Sequence, residues 1–290
     1  MNKIKIQEDI IYNKNTNQDI KIIHIADIHF NINTKNKKLI SLSQFINLEK
    51  PNYVIITGDI IDNGKITHND EKIQELISFF KHIAINNKVI LSLGNHDIHN
   101  DYHSFFNTLN KTENLYVLDN QDFIDKNIYI SGFTLPDNYY YNKLNRESIK
   151  VFIEYLNKYP KLTNNLPLDK VKVALIHSPI RLVNNEVLDK LSSYDLILSG
   201  HTHDGMVPDF LKPLFKGNRG IISPYKELFP EIAKGRITKK IKDKAITIII
   251  TGGVTKLSLT SAKWLSKLNF VYNIGINRII ITKKRGKNNE

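Results

Sequence analysis

The chain has no cysteine among its 290 residues, which excludes disulfide bonds and thiolate metal ligands. Any bound metal must be held by oxygen and nitrogen donors, a set that suits Mn, Fe, Zn or Co. No apolar run approaches the roughly 18 residues needed to cross a bilayer, so we expect no transmembrane segment. Residues 1–18 mix charged residues and Asn with scattered Ile and lack the continuous apolar stretch of a signal peptide. These absences predict a cytoplasmic protein, at most peripheral to a membrane.

Positive charge is in excess, with a formal net charge of +12 and a pI near 9.5. Such a surplus attracts nucleic-acid phosphates and anionic lipid, so both kinds of partner stay open. Lys, Asn and Ile are abundant throughout, as an A/T-biased coding sequence produces, and the lysines are mostly dispersed. We therefore do not favour specific binding of nucleic acid. The one dense basic cluster lies in the C-terminal tail, residues 283–290, which we expect to be frayed and solvated.

Apolar runs alternate with helical patterns along the chain, as in α/β proteins, and the length suits a single domain over residues 1–290. Residues 3–12 and 19–27 predict an opening hairpin, and residues 245–251, 271–274 and 277–282 predict the closing strands. Residues 135–145, which contain three consecutive tyrosines, are interpreted as a surface loop whose tyrosines either pack against the domain or line a substrate entrance, the second being favoured slightly. Residues 204–244 are interpreted as an irregular excursion. It is a lid, an amphipathic patch that meets lipid, or an ordinary surface loop.

Five apolar runs end in side chains that can bind metal. The polar residues at these ends are Asp27 and His29; Asp59 and Asp62; Asn95, His96 and Asp97; His177; and His201 and His203. One such end is weak evidence, because a turn whose Asp caps the next helix has the same sequence. The carboxyl ends of strands in open sheets are, however, where such folds place their ligands. Five together predict one shared site.

Spacing within these strand ends suits chelation. Asp27 and His29 are two residues apart, so in an extended segment they point to the same side, and His201 and His203 repeat this spacing. Asp59, at the end of a central strand, is the natural bridging carboxylate, since each of its oxygens can bind one ion. The amide oxygen of Asn95 is an adequate ligand where His and Asp complete the set.

In order along the chain, these motifs resemble those of the calcineurin-like metallophosphoesterases, in particular the bacterial single-domain type. The motifs are Asp27-x-His29, Gly58-Asp59-x-x-Asp62, Gly94-Asn95-His96-Asp97, His177 and Gly200-His201-Thr202-His203. The resemblance implies an α/β fold: a four-layer α/β/β/α sandwich of two mixed sheets flanked by helices, with two divalent metal ions at the strand ends. By the same resemblance, one ion is held by Asp27, His29, Asp59 and His203, and the other by Asp59, Asn95, His177 and His201.

The resemblance also assigns a catalytic role to His96, as general acid toward the leaving oxygen, with Asp62 fixing its tautomer. Asp97 either orients a ligand or only forms a turn. The implied reaction is hydrolysis of a phosphodiester or phosphomonoester by in-line attack of a metal-bridging hydroxide.

The expected substrate class follows from one position at which this chain differs from a subgroup of the family. Protein serine/threonine phosphatases carry an Arg where this chain has Asn63, so a guanidinium clamp on phosphate is missing there. We therefore expect a small-molecule or lipid-like phosphate ester. Two alternatives stay open: a metal-dependent nuclease, which a basic stripe leading to the site would favour, and a non-catalytic scaffold that binds partners.

Overall fold

Two six-stranded sheets form the centre of the fold in the computed structural model, which describes residues 3–62, 71–98, 102–141, 146–224, 227–256 and 272–283. In chain order the strands are β1 (Ile4–Tyr12), β2 (Ile20–Ile25), β3 (Tyr53–Thr57), β4 (Lys88–Ser92), β5 (Leu115–Leu118), β6 (Asp122–Ile124), β7 (Ile128–Phe133), β8 (Val171–Ile176), β9 (Leu196–Ser199), β10 (Gly235–Ile241), β11 (Lys244–Ile250) and β12 (Ile274–Thr282). The α-helices are α1 (Asn36–Glu49), α2 (Glu71–Ala84), α3 (His103–Asn110), α4 (Asp137–Tyr141), α5 (Arg146–Lys158) and α6 (Asn185–Lys190). Short 3-10 helices cover Pro160–Leu162, His203–Met206 and Asp209–Leu214.

Both sheets are mixed. The first has the order β1-β12-β2-β3-β4-β5 and the second the order β10-β11-β9-β8-β7-β6. Strands β2 to β5 are parallel, as are β7, β8, β9 and β11. The parallel strands of each sheet therefore deliver their carboxyl ends to one edge, where the loops that follow them can meet.

The apolar strands are buried on both faces, which explains their continuous hydrophobic runs. In β3, Val54 and Ile56 pack toward the helices while Ile55 packs toward the second sheet. In β8, Ala174 packs on the helix side and Val173 faces the first sheet. A shared apolar core thus lies between the two sheets, and a separate core lies on the outer face of each.

Helices cover both outer faces. Helix α2 places Ile73, Leu76, Ile77 and Phe80 at helical spacing on its buried side, against the first sheet. Helices α4, α5 and α6 contribute buried residues to the core of the second sheet. The predicted α/β/β/α sandwich of four layers is confirmed.

Several local predictions are wrong. Strands β1 and β2 do not form a hairpin, because β12 lies between them and pairs with both. The irregular segment predicted over 204–244 contains strand β10, which pairs antiparallel with β11. Residues 137–141, expected in a loop, form helix α4. Two predicted closing strands, 271–274 and 277–282, are replaced by the single β12, and residue 271 lies outside the described residues.

None of the helices within the described ranges is long and apolar enough to cross a bilayer.

Candidate metal centre

The polar strand ends meet at one edge of the sandwich. Backbone hydrogen bonds continue past the strands, from Asp27 N to Gly58 O at 3.1 Å and from His29 N to Asp59 O at 3.0 Å. In the second sheet, Gly200 N donates to His177 O at 2.9 Å. The two sheets are joined here as well, because the carboxylate of Asp27 accepts from the backbone N–H of His201 at 3.1 Å. Side chains that are far apart in sequence are thereby fixed next to each other.

Left-handed backbone conformation recurs at the polar residues of this edge. The φ angles are 53° at Asp27, 45° at His29, 51° at Asp59, 68° at His201 and 49° at His203. Outside glycine this conformation costs on the order of 1–3 kcal/mol per residue and concentrates at functional sites. The extended geometry predicted for the Asp27–His29 pair is therefore wrong. The chain turns at each of these residues and directs the side chains inward.

Two glycines permit the close approach of the loops after β3 and β4. A Cβ on Gly58 would lie 2.5 Å from the backbone nitrogen of Gly94, and a Cβ on Gly94 would lie 2.3 Å from Oδ1 of Asp59. Gly58 also has a φ of +74°. Larger residues here would push Asp59 away from the second sheet.

One group of donors consists of Asp27, His29 and His203, whose ligand atoms all lie within 4.8 Å of one another. Nδ1 of His203 is 2.8 Å from the carbonyl oxygen of Thr255. Because a carbonyl only accepts, Nδ1 carries the proton, and the lone pair of Nε2 is available to a cation. All three donors are buried.

A second group consists of Asp59, His177 and His201, again within 4.8 Å. Nδ1 of His177 donates to the carbonyl of Thr57 at 2.7 Å, which directs Nε2 toward Asp59 Oδ2 at 3.1 Å. Nδ1 of His201 lies 3.2 Å from Nε2 of His177. The three side chains converge on one point.

Asp59 lies between the two groups. Its Oδ2 is 3.1 Å from Nε2 of His177 in the second group and 3.6 Å from Nε2 of His29 in the first. Its Oδ1 accepts from the backbone N–H of His96 at 2.9 Å, which fixes the carboxylate plane. A carboxylate in this position can contact two cations at once.

Buried polar atoms without hydrogen-bond partners indicate whether cations fit between these donor groups. Within the described part of the chain, both ring nitrogens of His29 and Oδ1 of Asn95 are buried without a hydrogen-bond partner. Leaving such atoms unsatisfied costs about 1–3 kcal/mol each, so they call for a specific explanation. A divalent ion accepts lone pairs from an imidazole nitrogen and an amide oxygen, and the donors present here fit it.

The protonation states also suit cations. Burial lowers the pKa of His29 and of His201 well below the ordinary histidine value, which keeps both imidazoles in the neutral form that binds metal. Although burial works against it, the Asp59 carboxylate raises the pKa of His177 to about 9. In the metal-free chain, the proton on His177 thus partly offsets the negative charge of the Asp59 carboxylate, which a bound cation would otherwise balance.

His96 differs from the donors around it. Its side chain is 20% exposed, whereas that of His29 is 1% exposed, and the two rings meet edge to face with centroids 4.7 Å apart. Nδ1 of His96 is 3.6 Å from Oδ1 of Asp62, and Asn31 donates to the other Asp62 oxygen at 3.2 Å. His29, Asp62 and His96 also lie close enough to form a third possible donor group. The exposure of His96 fits contact with a substrate better than burial around an ion.

Asp97 links the loops after β3 and β4. Its Oδ1 accepts from the backbone N–H groups of Ile60 and Ile61, at 2.9 and 3.2 Å, and its Oδ2 accepts from Gly94 N at 2.9 Å. Burial, with the nearby Asp59, raises the pKa of Asp97 to about 7. The side chain positions backbone around Asp59 and belongs to none of the donor groups.

Two residues of the site, Thr255 and Gly253, were not found from the sequence. Thr255 holds His203 through its carbonyl and donates its backbone N–H to Asp27 O at 2.9 Å. Gly253 packs so closely that a Cβ would lie 2.8 Å from Oδ2 of Asp27. The sequence does contain one signal for this part of the site, the Gly252-Gly253 pair that follows β11. It ends a sixth apolar strand, but it carries no ionisable side chain that would mark it as part of a metal site. Tyr140, one of the three tyrosines singled out in the sequence, has its ring 5.5 Å from that of His201. Asn63 lies outside the described residues.

Sequence comparison matches residues 20–205 to the calcineurin-like phosphoesterases, a span that contains both donor groups. An uncharacterized metallophosphoesterase of Campylobacter jejuni is 30% identical over 201 residues, covering 68% of this chain and 47% of that protein. One from Helicobacter pylori strain J99 is 25% identical, covering 71% of this chain and 50% of that protein. One from Aquifex aeolicus is 25% identical, covering 73% and 74%. The chain thus spans about half the length of the first two relatives. The match over most of the chain shows that it belongs to the calcineurin-like phosphoesterase family.

Proposed function

We propose that the chain is a dinuclear metal-dependent hydrolase of phosphate esters. The observation that carries this proposal is the position of Asp59, whose Oδ2 is within 3.6 Å of an imidazole nitrogen from each donor group. One ion would be held by Asp27, His29, Asp59 and His203, and the other by Asp59, Asn95, His177 and His201. Mn, Fe, Zn and Co all suit these oxygen and nitrogen donors.

Two divalent ions held there would supply an acidified water and neutralise the negative charge of a phosphate. The side chain of His96 is exposed enough to contact the leaving oxygen of a substrate and donate a proton to it. Asp62, with Oδ1 3.6 Å from Nδ1 of His96, would orient the imidazole, and Asn31 holds Asp62 in place. Asp97 keeps the loops around Asp59 fixed, so that the carboxylate needs no rearrangement during turnover.

We infer a small-molecule or lipid-like ester as the substrate class. The sequence supports this inference against a phosphoprotein, because Asn63 replaces the phosphate-clamping Arg. We also propose, from the sequence, a cytoplasmic location that is at most peripheral to a membrane.

The proposed activity is tested by hydrolysis assays on the full chain, after chelation and readdition of Mn²⁺, Zn²⁺, Co²⁺ or Fe²⁺. The panel comprises aryl phosphodiesters and monoesters, cyclic nucleotides, nucleic acid and lipid phosphates. We expect metal-dependent release of phosphate or alcohol from at least one ester class, and loss of that release in the chelated protein. A metal-loaded chain inert toward every ester would contradict the proposal, and preferential cleavage of nucleic acid would favour the nuclease alternative.

A further inference from the structure

The segment that follows the metal centre exposes large apolar side chains. Four of them are more than half exposed: Phe210 at 73%, Leu214 at 76%, Leu228 at 66% and Phe229 at 63%. Phe210 and Leu214 come from the 3-10 helix Asp209–Leu214, and the other two lie about fifteen residues further along. Single exposed apolar residues need no explanation, but a group on one segment indicates a surface that meets a partner.

The two parts of this segment are packed together. The rings of Phe215 and Phe229 stack with centroids 6.4 Å apart and an interplanar angle of 13°. Phe229 N donates to Ile221 O at 2.9 Å, and Ile222 pairs with Leu228 through an antiparallel bridge. The four exposed side chains therefore belong to one folded unit.

A cationic cavity adjoins this unit. It has a volume of about 270 Å³, and its walls include Lys5, Lys212, Lys234, Asp204 and Phe215. Phe215 also stacks on Phe229, so the cavity and the exposed apolar group share a wall. Three lysines against one aspartate leave a surplus of two positive charges in the wall.

The lysines are incompletely neutralised. Lys212 is paired with Asp204 at 2.6 Å and with Asp209 at 2.7 Å. Lys234 donates to the carbonyl of Phe215 at 3.1 Å, and no acidic oxygen within the described ranges lies in ion-pair distance of Lys234 or Lys5. Burial lowers the pKa of Lys234; the Asp204 carboxylate opposes this shift, and the charges of Lys212 and Lys5 add to it by repulsion. An anion in the cavity would relieve this repulsion.

We propose that this surface, defined by Phe210, Leu214, Leu228, Phe229 and the cavity lysines, docks on an anionic phospholipid membrane. The cavity takes a headgroup phosphate, and the four exposed side chains enter the boundary between headgroups and acyl chains. The positive charge of this docking face is complementary to an anionic lipid. A membrane would also bury the four apolar side chains, whereas a free phosphate ion would leave them exposed to water. Exposed Lys216 and Arg219 between the apolar residues add charge of the same sign.

The docking face is continuous with the metal centre. Asp204, in the cavity wall, directly follows the donor His203. Gly252 lines the cavity, while its neighbour Gly253 packs against Asp27. A membrane held at this face would lie beside the metal centre. The inference concerns binding and does not depend on the proposed hydrolysis.

Vesicle co-sedimentation of the full chain tests the proposal, with phosphatidylcholine vesicles prepared with and without phosphatidylglycerol. We expect binding only when phosphatidylglycerol is present. The variant Phe210→Ser with Leu214→Ser removes the apolar part, and Lys5→Gln with Lys234→Gln removes the cavity charge. Each double variant should weaken binding at least about tenfold, as expected for two side chains at a membrane interface.

Matched controls separate docking from bulk charge. Leu168→Ser removes a leucine that is 86% exposed elsewhere, and Lys81→Gln removes an exposed lysine of α2. Both should bind vesicles as the unaltered chain does, and circular dichroism melting curves should show that all variants fold. The apolar double variant should still hydrolyse any soluble ester that the unaltered chain hydrolyses, so loss of docking is distinguishable from loss of activity.

Four results would overturn the proposal. The first is no binding to vesicles that contain phosphatidylglycerol, including the case in which inorganic phosphate alone binds the cavity. The second is an equal loss of vesicle binding in the controls and the docking variants. The third is binding of nucleic acid, and not of vesicles, through the cavity lysines. The fourth is a dimer that dissociates when Phe210 and Leu214 are replaced, with no vesicle binding by the monomer.

Discussion

Replacing Asp59 with asparagine should remove both metal ions at once. The substitution keeps the shape and one oxygen but removes the unit charge that faces both donor groups. At 4 Å and an effective dielectric constant of about 20, two unit charges interact by about 4 kcal/mol, and a dication doubles this. Solvent and the retained amide oxygen compensate for much of the loss. We expect a net cost of roughly 3 kcal/mol for each ion, which is on the order of 100-fold in Kd.

The assay is metal content per chain by inductively coupled plasma mass spectrometry, after loading and dialysis, with titration calorimetry for Kd. Asp62→Asn is the matched control, because Asp62 is equally buried but contacts His96 and Asn31 in place of the two donor groups. It should keep the metal content of the unaltered chain. If Asp59→Asn lost one ion and kept the other at unchanged affinity, the bridging role would be refuted. Metal loss in Asp62→Asn alone would locate binding at the third donor group.

Three further predictions follow from the same geometry. His96→Ala should retain its metal and slow hydrolysis of esters with poor leaving groups far more than activated aryl esters; equal slowing would exclude a proton-donor role. Gly253→Ala should lower both the melting temperature and the metal content, because the new Cβ meets Asp27 at 2.8 Å, whereas Gly217→Ala, also at positive φ but in open space, should cost only backbone strain. Because the pKa of His177 is raised to about 9, a proton competes with the ion, so calorimetric metal affinity should rise with pH and level off above about 9; a pH-independent affinity would contradict this.

The strands that carry the donors were predictable because they are buried on both faces. Val54, Ile55 and Ile56 form an uninterrupted apolar run that ends at a polar residue, and such a run has few interpretations in an α/β chain. The order of the first sheet was not predictable in the same way. β12 inserts between β1 and β2 from more than 250 residues away, and adjacent strand patterns alone favour a hairpin. Strand β10 was missed because its exposed lysines obscure the apolar alternation of an edge strand.

Within the site, the sequence indicated the ionisable side chains but not the backbone that holds them. Thr255 acts through its carbonyl, which every residue possesses, so no residue type marks its role. The left-handed conformation at Asp27 and His29 likewise depends on tertiary contacts such as the bond from Asp27 N to Gly58 O. For Asp97, the sequence left open whether the side chain orients a ligand or forms a turn. Only the structure shows that its carboxylate accepts from backbone N–H groups of the two loops.

Anomalous diffraction from crystals of the metal-loaded chain, collected at the absorption edge of the bound metal, tests the central claim most directly. We expect two peaks, one on either side of the Asp59 carboxylate. One peak is expected beside Asp27, His29 and His203, and the other beside Asn95, His177 and His201. A single peak, or a peak between Asp62 and His96, would contradict a dinuclear centre bridged by Asp59.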